Sequence, residues 1–225
     1  VLDPQGVLTS TPLMMKLAGD AVAAGMQRAA LGIYQLVPPV ESSLADARAR
    51  LAGPDLNPDQ RKKLEGAIKS LEALTQGEHS PDVARLTAIA LLSEKTGNLR
   101  EAYEALAKLE QLPGKPGVRE EVLLHLVRLS AQTATAADTR RHTGVFIKAF
   151  PASSNTAVVQ RILLGSLFQA ADYDACIETG QAMMGPLKPA TPEHDEVLFV
   201  LAASLHYRGQ FDKAGPLLDE HVKFY

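Results

Sequence analysis

Tryptophan is absent from the 225 residues, cysteine occurs once, and aromatic residues make up only 5% of the chain. The lone cysteine, Cys176, excludes an internal disulfide framework and any cysteine-based zinc cluster. Neither sign of charge dominates: 23 Lys and Arg stand against 26 Asp and Glu, a formal net charge of -3. The chain therefore lacks the global positive excess that draws proteins onto phosphate backbones or acidic membranes, and no nucleic-acid partner is expected. No stretch approaches the roughly 18 apolar residues of a membrane span, so direct membrane insertion is not expected either. The opening residues "VLDPQGVLTSTPLMMKLAGD" carry no basic leader followed by an unbroken apolar run. The chain starts without Met and stops at "VKFY", which suggests a segment of something longer.

The usual chemical signatures are missing as well. The six histidines, His79, His125, His142, His194, His206 and His221, form no HExxH, HxxxH or Cys/His cluster, so no metal is expected. There is no GxGxxG, no GxxxxGK[ST] and no GxSxG elbow, and no cofactor is expected. In "EHDE", around His194, carboxylates flank an imidazole, but the motif follows Pro192 at a helix start, where acidic residues favour the helix dipole. Cys176 reads as a buried, inert thiol more readily than as a nucleophile. The chain is expected not to be an enzyme.

What is present is 46% hydrophobic residues, enough for a substantial core, arranged with a long period. Val83, Glu120, Ala157 and Asp195 open successive units 37, 37 and 38 residues apart. The fourth place of each unit holds Leu86, Leu123, Gln160 and Leu198, and the seventh holds Ile89, Leu126, Leu163 and Leu201. The eighth holds Ala90, Val127, Leu164 and Ala202. A turn follows at Gly97, Ala134, Ala171 and Gly209, and two residues later stand Leu99, Ala136, Tyr173 and Phe211. The twentieth place reads Ala102, Thr139, Cys176 and Ala214, small residues that let two helices approach closely. A period in this range predicts stacked helical hairpins.

The pattern resembles the tetratricopeptide repeat, whose 34-residue unit has a large residue at place 4, Leu at 7, small residues at 8 and 20 and an aromatic at 24. The units here are about three residues longer, have no Trp at place 4, and put Leu106, Thr143, Gly180 and Leu218 at place 24. The extra length falls in "PGKPG" (113–117), "PASSN" (151–155) and "GPLKPATP" (185–192). The resemblance implies an all-α, right-handed α-solenoid of stacked antiparallel hairpins, read as one domain over 1–225. Within it lie an N-terminal hairpin at 11–38, a divergent hairpin at 42–76 with Asn57 as a helix cap, and four clearer repeats over 83–225. Pro216, about five residues into the last helix, is expected to delay, kink or fray it.

Members of that family bind protein segments on the concave face, lined by places 2, 5, 9, 12 and 13 of each first helix. Carried onto this chain, those places nominate Lys95, Glu121, Arg128, Arg161, Phe168, Gln169, Phe199, His206 and Tyr207 as site residues. The family's carboxylate clamp, which needs Lys at place 5 and Asn at place 9, is absent. Arg128 and Arg161 either grip an acidic group of a ligand or make ordinary surface ion pairs. The expected function is a non-catalytic scaffold for a protein or peptide, within a larger bacterial protein, with self-association through the ends of the stack as a further property. The alternative is the helical region of a cell-envelope enzyme or secretion apparatus. Loosely matched Ala-rich units and the "FPASS" boundary favour the periplasm or cell envelope over the cytoplasm.

Overall fold

The computed structural model describes residues 4–54, 56–75, 80–112, 119–189 and 191–223. Twelve α-helices and no strand occur among them. The chain divides into two compact units, Val1–Arg119 and Glu120–Tyr225, next to the Pro- and Gly-bearing segment 113–117.

The first unit holds α1 (Pro4–Ala23), α2 (Gln27–Leu36), α3 (Val40–Leu51), α4 (Pro58–Thr75), α5 (Pro81–Lys95) and α6 (Leu99–Gln111). The helices pair as hairpins: α1 with α2, α3 with α4, and α5 with α6. One apolar cluster joins α1, α3 and α4 through Val7, Val40, Leu44, Leu64, Ile68 and Leu71. The divergent hairpin is capped as its sequence implies. The Gln60 N–H donates to Asn57 Oδ1 at 2.8 Å, and the Asn57 N–H donates to Gln60 Oε1 at 3.1 Å. This reciprocal box satisfies two donors that a helix start otherwise leaves unpaired.

The second unit holds α7 (Glu120–Thr133), α8 (Ala136–Ala149), α9 (Thr156–Gln169), α10 (Tyr173–Met184), α11 (Pro192–Tyr207) and α12 (Phe211–Val222). Each first helix packs on the next, α7 on α9 and α9 on α11, while α8, α10 and α12 pair with α7, α9 and α11 in turn or bridge to the next hairpin. The small-residue place is buried in every repeat: Ala102, Thr139 and Cys176 are 0% exposed and Ala214 is 1%. Gly180, where an aromatic is usual, faces Leu201: a Cβ there would lie 3.3 Å from Leu201 Cβ. Close approach of α10 and α11 thus leaves no space for a ring.

Four hairpin turns share one backbone device. Gly25, Gly97 and Gly209 have φ of 75°, 83° and 72°, and Ala171 takes φ 56° at the equivalent place. Behind each, the next N–H reaches back to close the helix: Met26 to Ala21 O at 2.9 Å, Asn98 to Ser93 O at 2.8 Å, Asp172 to Leu167 O at 3.0 Å, and Gln210 to Leu205 O at 2.9 Å. This is the left-handed helix stop that glycine accommodates without a Cβ penalty. The turn at Ala134 uses a different device, a capping box in which Thr135 and Asp138 satisfy each other's backbone N–H groups. Pro216 does not delay the last helix, which starts at Phe211 and runs through the proline to Val222. The proline falls in the second turn, and the rest of the helix is held by its hairpin partner α11.

Candidate functional site

In the second unit the facing sides of α7 and α9, with Glu196 near the start of α11, enclose a groove of about 550 Å³. Its walls are Arg128, Ala131 and Gln132 from α7, Val158, Arg161, Ile162, Gly165, Ser166 and Gln169 from α9, and Glu196 from α11. Eight of these ten are first-helix places 2, 5, 9, 12 and 13; Ile162 and Ser166 are the exceptions. Small residues make the concavity. Gly165 and Ala131 put almost no side chain into the space, while Val158 and Ile162 give it an apolar wall.

The two arginines differ in state. Arg161 is held by acids of α11, with Nη2 at 2.6 Å from Glu196 Oε2 and Nη1 at 3.9 Å from Glu193 Oε1. Its Nε is buried without a hydrogen-bond partner. Arg128 is exposed and makes no ion pair among the described residues. The pair of arginines does not form a joint grip: Arg161 is neutralised from within, and Arg128, unpaired among the described residues, lines the groove.

An aromatic cluster lies at the C-terminal ends of α9 and α11. Tyr173 and Tyr207 stack at 4.7 Å with planes 11° apart, and Phe168 packs on both at 5.9 and 6.2 Å. His206 joins through Tyr207 at 6.2 Å and Phe211 at 5.1 Å. Gln169, next to Phe168, lines the groove, so cluster and groove share one lip. Tyr173 and Phe211 belong to second helices, which the first-helix places do not include. Their signal was in the sequence, since both occupy the same repeat place just after the turn.

The remaining nominated residues are placed apart from the groove. Glu121 is exposed in the first turn of α7. Phe199, 45% exposed, packs its ring 5.1 Å from His221 of α12, whose Nδ1 lies 2.6 Å from Asp195 Oδ1. Lys95, in the first unit, is exposed and lines a separate open depression with Gly25, Met26, Gln27, Arg28 and Thr96 among its walls.

Cys176 and the "EHDE" residues are tied into structure. Cys176 is fully buried, its Sγ 3.8 Å from Leu164 O, and burial pushes its thiol pKa up, away from the thiolate a nucleophile needs. In "EHDE", Thr191 caps α11 by accepting the His194 N–H at 3.2 Å, and Asp195 pairs with His221. His79 lies outside the described residues. Among the described residues no group of three or more His, Cys, Asp or Glu is arranged to hold a metal, and no helix is long and apolar enough to cross a membrane.

No protein-family model matches the sequence, and no curated protein matches it. Among solved structures the chain is similar to a Podosopora anserina protein described as a kinesin light chain with nearly identical TPR-like repeats, and to a point variant of the same protein. Sequence identity is 14% in both cases, with TM-scores of 0.52 and 0.51, over 95% of this chain and 93% of those chains. The chain shares the TPR-like helical-repeat fold, an all-α solenoid of stacked hairpins.

Proposed function

We propose that this chain is a non-catalytic scaffold that holds a segment of a partner protein in the groove between α7 and α9. Folds of TPR-like hairpins generally serve protein interaction, because stacking generates an extended binding surface from first-helix side chains. The observation that carries the reading is the groove itself. Most of its walls are first-helix surface places of the repeat, and Arg128, without an ion pair among the described residues, is positioned to meet an acidic side chain of the bound segment. The aromatic lip at Phe168 and Tyr207 extends the surface beyond the cation, in the residue types that commonly anchor interfaces.

The test is capture of partners from the native source by wild type, Arg128→Ala and Arg140→Ala. Arg140 is a matched control, an exposed arginine paired with Asp172 and absent from the groove walls. Loss of about 2 kcal/mol in affinity for Arg128→Ala, with Arg140→Ala unchanged, is the expected result. Equal capture by all three would remove the groove from the account. A docking role inside a larger bacterial envelope protein extends the same proposal, supported by the Ala-rich, loosely matched units. Fractionation of the native source would test it.

Self-association is a second reading, supported by apolar side chains left in solvent on α1. Leu13 is 69% and Leu17 55% exposed, one helical turn apart. Sedimentation velocity across a concentration series should show a weak dimer that Leu13→Glu with Leu17→Glu abolishes. A strictly monomeric wild type would contradict it.

A further inference from the structure

The first unit contains a second cavity, of about 340 Å³, at the meeting of α3, α4 and the start of α1. Its inner wall is apolar: Leu64 and Ala67 are buried, 7% and 2% exposed, with Leu56 and Pro4 beside them. Among the described residues its rim is polar and carries two cations. Arg50, at the C-terminal end of α3, and Lys63, on α4, make no ion pair among the described residues. Both side chains are donor-only groups. Gln60 completes the described rim; its Oε1 accepts the Asn57 N–H, and its amide N–H₂ is available to donate. The place of these groups on α4 follows from helix geometry, since residues 60, 63, 64 and 67 fall on one face.

We propose that this cavity binds the carboxylate of an apolar-tailed acid, a medium-chain fatty-acid anion, with the tail against Leu56, Leu64 and Ala67 and the head on Arg50 and Lys63. The donor-only groups of Arg50 and Lys63 favour a head that accepts, and their two positive charges select an anion over a neutral group of the same size. The apolar wall distinguishes this ligand from inorganic phosphate or a short dicarboxylate, which would leave it dry and unfilled. The volume lies at the small end of the range for ligand sites, about 300 to 1,000 Å³, and so favours a single short chain over a sterol or a two-chain lipid. Nothing in this proposal depends on the groove of the second unit.

The experiment titrates the full chain with decanoate, decanol and decylamine below their aggregation range, followed by calorimetry and by the methyl resonances of Leu64 and Ala67. Decanoate should bind saturably at one site and shift those methyls. Decanol should bind at least about fivefold more weakly and decylamine more weakly still. From hexanoate to decanoate, affinity should rise about threefold to fourfold per methylene, the factor for burying one methylene. Arg50→Gln combined with Lys63→Gln, two surface changes checked for folding by circular dichroism, should remove the preference for decanoate over decanol while leaving decanol binding unchanged. The proposal is overturned by absence of saturable decanoate binding, by equal binding of the three head groups, or by shifts confined to methyls outside the cavity.

Discussion

Ala171 carries the clearest residue-scale consequence of the fold. It holds φ 56°, where the matching turns use Gly25, Gly97 and Gly209, and an L-residue pays about 1 to 2 kcal/mol for that region. Ala171→Gly should therefore raise stability by about 0.5 to 1 kcal/mol, once the extra freedom of glycine in the unfolded chain is subtracted. A denaturant midpoint that falls would mean that the strain is already relieved. At the other extreme of packing, Ala102 is 0% exposed at the crossing of α5 and α6. Ala102→Leu should cost about 1 to 3 kcal/mol, because added methylenes have nowhere to go. An unchanged melt would contradict the repeat register from which the groove residues were assigned. Site residues were the less legible part of the sequence for a related reason. Repeat places located Arg128 and Arg161 on the groove wall, but not the ion pair to Glu196 that occupies one of them.

At the scale of elements, the linker "PASSN", which follows α8, is fastened back to the start of α7. Ser153 Oγ donates to Glu120 Oε1 at 2.5 Å and Asn155 Nδ2 donates to the same oxygen at 2.8 Å, tying the start of α9 to the start of α7. Those hydrogen bonds hold the Glu120 carboxyl below its ordinary range, chiefly through Ser153 and then Asn155. Asp138 is lowered as well, by the Thr135 hydroxyl first and the Thr135 N–H second. For a carboxylate with a depressed folded pKa, the stabilisation is complete above the ordinary carboxylate range and is lost as pH falls through the lower folded values. The second unit should therefore weaken across that acidic window. Glu120→Gln combined with Asp138→Asn should flatten the acid limb of a stability-against-pH curve, and an identical limb in the double variant would contradict the assignment. Hairpin boundaries were largely legible, because Gly, Pro and cap residues act locally. The course of α12 through Pro216 was not, since the tertiary support of α11 outweighs a local propensity. The start of α1 was equally hidden: it opens at Pro4, ahead of residue 11, where the N-terminal hairpin is expected to begin.

For the whole molecule, the proposed function rests on a division between buried packing places and exposed first-helix places of the repeat. Places 7, 8 and 20 are filled by apolar or small residues and are buried in all four clear repeats, which fixes the hairpins. Places 2, 5, 9, 12 and 13 vary freely, and in the second unit they line a groove with an arginine, Arg128, that makes no ion pair among the described residues, and with an aromatic lip. The most direct measurement introduces a photo-crosslinking side chain singly at Gln132 or Gln169, on the groove wall, and at Lys148 or Glu178, exposed on second helices. Partner crosslinks should form at Gln132 and Gln169, be absent at Lys148 and Glu178, and weaken when Arg128→Ala is added. Crosslinks centred on Lys148 and Glu178, or groove crosslinks indifferent to Arg128, would contradict the claim that the inner face of the first helices is the binding surface.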